Sequence, residues 1–433
     1  MSVSERLAAL EVSGIKLGLS NIERISAALG NPQRAYTTVH VAGTNGKGSV
    51  VAMVHGAFRA AAVPAARYTS PHLSTIRERF VIGDQPVDPA TYEDAATRVL
   101  DTIDGLVRSG ALAGPPTFFE ATTAIAFLLF REAGVRVAVI EVGLGGRFDS
   151  TNVVEPAVTA ITSIAMDHER FLGRTRAAIA FEKAGIIKPG VPVVIGALPP
   201  DADAVVRAVA ASVDAPVIAA VTADDRVLPA EGGRAGIVPA TGILAGTPLR
   251  IGLPGDHQAG NALVAYHVLG ALAGRTDIVL GADAVRAGLE RTAWPGRLDV
   301  RTTTGGRRIL LDAAHNPHGA EALATYLRQW YAPRPPVVFA VMHDKDIPGM
   351  LRHLLPVTGP IVLAAMRGTR PAPPDEVTQV IRSIDPGREV MVEESVPAAL
   401  ARAWQYGPDI VAAGSIQLLG EVTDALNSRA ILP

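Results

Sequence analysis

The segment Tyr36 to Ala62, YTTVHVAGTNGKGSVVAMVHGAFRAAA, constrains this chain more than any other stretch. A β-prone run from Tyr36 to Val41 ends on small residues and leads into a glycine-rich turn, Gly43-Thr44-Asn45-Gly46-Lys47-Gly48-Ser49. An apolar helical pattern follows and is stopped by Pro64. Strand, glycine turn, lysine, hydroxyl and helix in this order build a cradle for phosphate. Glycines let backbone N–H groups converge on phosphate oxygens, and the helix N-terminus adds donors and a positive dipole end. The plain eight-residue phosphate-loop pattern is not met, because Val41 stands at its first glycine and Gly48 at its Ser/Thr position. Ser49, one residue later, is then the hydroxyl expected to reach Mg²⁺, and Lys47 the cation for the β- and γ-phosphates.

The polar residues downstream recur at one kind of place. Val137 to Ile140 is an apolar run typical of a buried parallel strand, and it delivers Glu141. A second run, Ala157 to Ala165, ends in Met166-Asp167-His168, and a third spans Val191 to Ile195. Between these last two, Arg174 to Ala184 reads as a helix carrying Lys183. Ser70 and His72 flank Pro71 beyond a short strand. Ser49, Glu141, Asp167 and His168 thus all follow strand ends, the edge where open α/β sheets bind ligands. A dinucleotide fingerprint at Gly143-Leu144-Gly145 fails, because Phe148 occupies the third glycine position. Thr117 to Phe130 reads as an apolar helix, with Phe118 or Phe119 at its start able to stack on a flat heterocycle or to fill the core.

Residues 215 to 255 are short strand-like pieces between glycines, which predicts a small antiparallel sheet. Gly255 to Asn261 opens a helix that runs to about Gly270, and Trp294-Pro295-Gly296-Arg297 interrupts the pattern. From Arg308 five strand-like runs alternate with helices, a second parallel α/β unit with no phosphate loop of its own. The expected fold is therefore α/β: a phosphate-loop ATPase domain with a parallel sheet and a small antiparallel sheet over residues 1–295, then a Rossmann-like domain over 296–433.

Composition narrows the class. Forty basic against 42 acidic residues give a formal charge of −2, which argues against nucleic acid as the main partner. The absence of cysteine removes disulfides, thiolate metal sites and a thiol nucleophile. The N-terminal MSVSERLAALEVSG has no apolar signal core, and no run approaches the ~18 apolar residues of a membrane span, so a cytoplasmic protein is expected. Only five of the 40 basic residues are lysine: Lys16, Lys47, Lys183, Lys188 and Lys345. A chain that otherwise uses arginine keeps lysine where a compact ammonium or a reactive amine is needed. Lys188, beside Pro189-Gly190, reads as an exception in a surface turn.

Ten motifs in order then carry a resemblance across essentially the whole chain: GTNGKGS (43–49), TSPHL (69–73), FExxT (119–123), EVGLGGRFDSTN (141–152), DHxxxLG (167–173), EKAGIIK (182–188), HQxxN (257–261), PGR (295–297), DAAHNP (312–317) and DKD (344–346). The sequence resembles the bifunctional folylpolyglutamate synthase/dihydrofolate synthase family of the Mur ligase superfamily. Cell-wall Mur ligases fit less well, since only 42 residues precede Gly43 and Gly48-Ser49 replaces their usual Thr. A nucleotide-switch protein is a further alternative, but it has no need of a second metal site built with a special lysine.

The resemblance implies an ATP-dependent ligase that joins L-glutamate to dihydropteroate, folates or both through an acyl phosphate. It implies that Gly43, Thr44, Asn45, Gly46, Lys47, Gly48 and Ser49 bind the phosphates, with Asn261, Arg297, Asp312 and His315 around adenine and ribose. One Mg²⁺ is expected at Ser49, Ser70 and Glu141, and a second at Glu141, His168 and a carbamylated Lys183. Only a primary amine can form that carbamate; as a plain cation near a helix end, Lys183 could equally be arginine. Lys47, His168, Lys183 and His315 are the expected catalytic groups. Phe119, Asp149 and Asn152 are expected at the pterin, with the Lys16 to Leu19 segment closing over it, and Ser415 with His315 at glutamate. The partners implied are small molecules, bound by a monomer.

Overall fold

Strand Thr37–Ala42 lies at the middle of the first sheet, where all but its first residue are buried. It pairs in parallel with Val137–Glu141 on one side and Val158–Ile161 on the other. The computed structural model describes residues 1–11, 18–303, 305–368 and 370–428, so Lys16 and Leu17 lie outside the described residues. The first sheet has eight strands in the order Gln85–Pro86, Phe80–Ile82, Ala65–Tyr68, Val137–Glu141, Thr37–Ala42, Val158–Ile161, Val193–Ile195, Val217–Ala219. All pairings are parallel except those at the Phe80–Ile82 and Gln85–Pro86 edge. The chain leaves the central strand between neighbours that come later in sequence, so the crevice at its C-terminal end is a topological switch point.

Helix Lys47–Ala60 leaves that crevice and is buried along most of its length, packed between the sheet and helices His257–Ala273 and Ala282–Glu290. Helix Phe118–Glu132 fills the other face. Thr117 starts it with a reciprocal cap: the Glu120 N–H donates to Thr117 Oγ1 (3.1 Å), and the Thr117 N–H donates to Glu120 Oε2 (2.6 Å). Both residues are buried, so water cannot replace the lost bonds. Thr117→Ala is expected to cost about 1–2 kcal/mol in urea denaturation.

The expected antiparallel piece is shorter than its sequence pattern. Val217–Ala219, uniformly apolar, extends the large parallel sheet, and only Arg226–Glu231, Arg234–Val238 and Leu249–Arg250 form the three-stranded antiparallel sheet. A third sheet begins after Trp294 to Leu298, in the order Asp299–Thr302, Arg308–Asp312, Asp409–Ala413, Val337–Phe339, Ile361–Ala364, Val390–Glu393. Its five parallel strands match the five apolar runs; the antiparallel edge strand Asp299–Thr302, with the sequence DVRT and alternating exposure, has no such run. Two buried clusters, one on each face, hold this sheet to its helices.

Candidate active site

The cleft between the two large sheets is lined by Gly43 to Ser49, Ser70, Glu141, His168, Lys183, Asn261, Arg297 and His315. The backbone of the cradle is held from the first domain. Thr44 N–H donates to Ser163 O (2.7 Å) and Asn45 N–H to Ser163 Oγ (3.0 Å). The Asn45 carbonyl accepts from the Thr162 and Ser163 hydroxyls at 2.6 and 2.9 Å. Gly46 has φ +86°, and a Cβ there would lie 2.3 Å from Asn261 Oδ1, so no side chain fits the turn.

Two lysines meet inside this cradle. Lys47 Nζ donates to Gly43 O (3.0 Å) and Thr44 O (3.1 Å), while Lys183 Nζ donates to the same Gly43 carbonyl at 2.9 Å. Neither forms an ion pair with a carboxylate among the described residues. Burial pushes the Lys183 amine down to about 7, helped by the Lys47 charge; burial also lowers Lys47, opposed by Glu141. Glu141 is buried at its strand end, which raises its carboxyl, and the donor that reaches it is Ser70 N–H at 3.2 Å. A buried carboxylate with no guanidinium or ammonium paired to it, beside the hydroxyls of Ser49 and Ser70, is a hard oxygen set suited to a divalent cation. Among the described residues no three His, Asp or Glu side chains converge on a metal position.

Asp167 joins the two domains at the far wall. Its Oδ1 accepts from Lys345 Nζ (2.8 Å) and the His168 N–H (2.9 Å), and its Oδ2 from Asn316 Nδ2 (3.0 Å), with His315 Nε2 at 3.4 Å. Burial would raise this carboxyl, but the His315 hydrogen bond and the Lys345 ammonium hold it well below the usual range. His168 takes a left-handed backbone, φ +51°, and its Nε2 lies 3.4 Å from Lys345 Nζ. An ammonium only donates, so Nε2 accepts and the ring is neutral, in keeping with burial holding it near 4. His315 donates from Nδ1 to Ala313 O at 2.9 Å.

Other expected residues do not line this cleft. Asp312 spends its oxygens on the N–H groups of Leu298 (2.9 Å) and Ala314 (3.0 Å), tying the interdomain segment to the second sheet. Ser415 is buried and caps helix Ile416–Asn427 through Leu418 N–H, 3.0 Å. Asp149 accepts from Thr151 N–H (3.0 Å), the Thr151 hydroxyl and Leu144 N–H (2.8 Å). Asn152 Nδ2 donates to Arg147 O (3.0 Å) and Gly185 O (3.1 Å). These two residues pin the Gly143 to Asn152 loop against the end of the Lys183 helix. Lys188 belongs to the same network, not to an open turn: it is half-buried and donates to Asn152 O at 3.0 Å. Phe119 packs on Tyr68, and its ring tip would be 2.4 Å from a Cβ on Gly143, which lines the cleft. Gly143→Ala is therefore expected to displace that ring and raise KM for a pteroate roughly 10- to 100-fold, with KM for ATP little changed in steady-state assays.

Sequence reasoning placed Asp167 on the ligand-binding edge and Asn316, Lys345 and His257 inside motifs without naming their partners, and it did not single out His318. Their contacts join residues up to 273 positions apart, which no local pattern reveals.

A phosphate cradle and a second α/β domain closing over it define a Mur-type ATP-dependent ligase. Residues 41–269 match the Mur ligase middle domain, and 296–415 the Mur ligase glutamate ligase domain. The chain is 35% identical over 405 residues to the folylpolyglutamate synthase of Lacticaseibacillus casei, covering 92% of each. It is 40% identical to the dihydrofolate synthase/folylpolyglutamate synthase of Mycobacterium tuberculosis, over 80% of this chain and 73% of that protein. The structure of Mycobacterium tuberculosis folylpolyglutamate synthase complexed with ADP and AMPPCP superposes with a TM-score of 0.88 at 33% identity, over 98% of this chain and 99% of that one. A bifunctional synthase with Mn, AMPPNP and L-glutamate bound gives 0.83 at 30% identity, over 99% and 98%. The chain belongs to the folylpolyglutamate synthase/dihydrofolate synthase family of ATP-dependent ligases.

Proposed function

We propose that this chain joins L-glutamate to dihydropteroate, reduced folates or both. The observation that carries the reading is the convergence of Lys47 and Lys183 on Gly43 O, facing the buried Glu141. Two amines without a paired acid are electrostatically unfavourable until an anion enters, and ATP and a pteroate carboxylate are both anions. The carboxylate attacks the γ-phosphorus and ADP leaves with the electron pair of the broken P–O bond, giving an acyl phosphate. The glutamate amine then attacks the acyl carbon, inorganic phosphate leaves, and the amine's surplus protons pass to solvent. Lys47 moves from loop carbonyls to the phosphates, and Arg297, which lines the cleft with no paired acid among the described residues, adds a second cation. Ser49, Ser70 and Glu141 would hold one Mg²⁺ and Glu141, His168 and a carbamylated Lys183 a second, which would add positive charge for the transferring phosphate. Carbamylation would turn the Lys47–Lys183 repulsion into attraction.

A cavity of about 530 Å³ lies across Asp167 and His168 from the nucleotide cleft, bounded by His343, Lys345 and Arg370. Its size, and its cations set beside the acids Asp167, Glu169, Asp344 and Asp346, suit an amino acid such as glutamate, with the amine directed toward the cleft; Ser415 supports the neighbouring helix. Phe119, held by Gly143, would stack on the pterin, while Asp149 and Asn152 shape the loop beside it. We divide the chain into residues 1–295 and 296–433 and place it in the cytoplasm as a monomer with small-molecule partners. Among the described residues no helix is long and apolar enough to cross a membrane.

The test is product mass with ATP, Mg²⁺, L-glutamate and either dihydropteroate or tetrahydrofolate. One added glutamate on either acceptor supports the reading and names the activity. ATP hydrolysis that ignores glutamate, with no addition on either, defeats it.

A further inference from the structure

Asn316 begins helix Pro317–Trp330 and is 2% exposed, yet every hydrogen-bonding position of its amide is used. Its Oδ1 accepts from Gly319 N–H (2.8 Å) and Asn45 Nδ2 (3.2 Å), and its Nδ2 donates to Asn45 Oδ1 (3.1 Å) and Asp167 Oδ2 (3.0 Å). Three of those four partners of one second-domain side chain lie on the phosphate loop and on the loop before His168. Asn45 Nδ2 also lies 2.9 Å from His318 Nδ1.

The two halves of Asn45 have separate partners. Among the described residues its backbone is bound only inside the first domain, to Thr162 and Ser163, whereas its side chain is bound only to the second. The cradle therefore has its shape without docking, and its half-buried amide is what the second domain grips. While so engaged, that amide has no hydrogen left for a phosphate oxygen; the loop glycines and Lys47 serve the phosphates. We propose that Asn45 is a docking post and Asn316 a positioning residue that holds the second domain over the cradle, bringing Lys345 and His315 against Asp167 and His168. Turnover then depends on an amide pair that touches no substrate. This inference rests on the ligase reading for its activity arm alone.

The test uses N45A, N316A and the double variant in the full chain. Glutamate-dependent turnover is measured together with ADP binding by calorimetry and small-angle scattering in AMPPNP. Each single change is expected to lower kcat roughly 10- to 100-fold, and the double variant to fall within about threefold of the worse single one. ADP affinity of N316A is expected to stay within about threefold of wild type, while scattering shows both variants more extended than wild type. Losses that multiply in the double variant, or an N316A protein with wild-type kcat and wild-type scattering, overturn the proposal. N45A alters only a side chain that projects from the first domain, so it keeps the test open if N316A misfolds. Scattering needs neither folate nor glutamate: a wild type without ligase activity defeats the ligase reading, and docking is still decided.

Discussion

Lys183→Arg is expected to lower kcat roughly 100- to 1,000-fold and to leave ADP affinity nearly unchanged. The substitution keeps a cation at the end of helix Arg176–Ala184, so any role limited to charge would survive it. What is lost is a primary amine. Carbamate formation joins the neutral nitrogen to the carbon of CO₂ and releases one proton, and a guanidinium cannot do this. An ordinary lysine at pH 7.5 is neutral in about one molecule per thousand, whereas burial and the Lys47 charge bring Lys183 down to about 7. The direction with pH follows. Above 7 the amine is largely neutral and open to CO₂; below 7 it is protonated and closed to it. Activity in CO₂-depleted buffer is expected to fall as pH drops through 7, and added bicarbonate is expected to restore it. Labelled bicarbonate followed by carbon-13 NMR should show a carbamate in wild type and none in the arginine variant. Full activity of that variant would remove the carbamate from the mechanism.

Much of this architecture is legible because burial writes simple patterns. Val137 to Ile140 and Val158 to Ile161 are covered on both faces, so they are apolar but for Thr159, and their ends stand out where polarity begins. The glycine turn is legible for a related reason: backbone at the crevice leaves no room for side chains, as the Asn261 contact at Gly46 shows. Asp299–Thr302 escapes the same method. An edge strand with one exposed face carries alternating residues, and four of them are too few to separate from a loop.

The site divides along the same line. Ser49, Glu141 and Lys183 follow elements whose ends can be placed, and they reach one cleft. Asp149 is a polar residue in a motif and Ser415 one that the resemblance places at glutamate, which marks them as constrained without saying by what. Their oxygens are bound to backbone N–H groups two to five residues away, a structural demand that looks the same in sequence as a ligand contact. Lys188 shows the converse, since a proline and a glycine beside it suggest a surface turn although its ammonium is drawn inward to Asn152 O.

Lys47→Met should produce the deepest loss, with kcat/KM for ATP down about 1,000-fold or more. Methionine has similar length and packs well, so the variant is expected to fold; what it lacks is the charge that two anions must meet. That ammonium is bound to the Gly43 and Thr44 carbonyls at 3.0 and 3.1 Å. It can therefore be transferred to phosphate oxygens over a short distance, already largely stripped of water. The expected defect differs in kind from that at Lys183, because ATP capture fails along with turnover. ADP binding by calorimetry should weaken in Lys47→Met and persist in Lys183→Arg. The two lysines are also linked through their shared carbonyl. Loss of the Lys47 charge removes a cause of the lowered Lys183 pKa, so the Lys183 amine should become harder to deprotonate. A carbamate signal that titrates in at higher pH in Lys47→Met than in wild type would show the coupling directly; an unchanged titration would mean that burial alone sets the Lys183 amine.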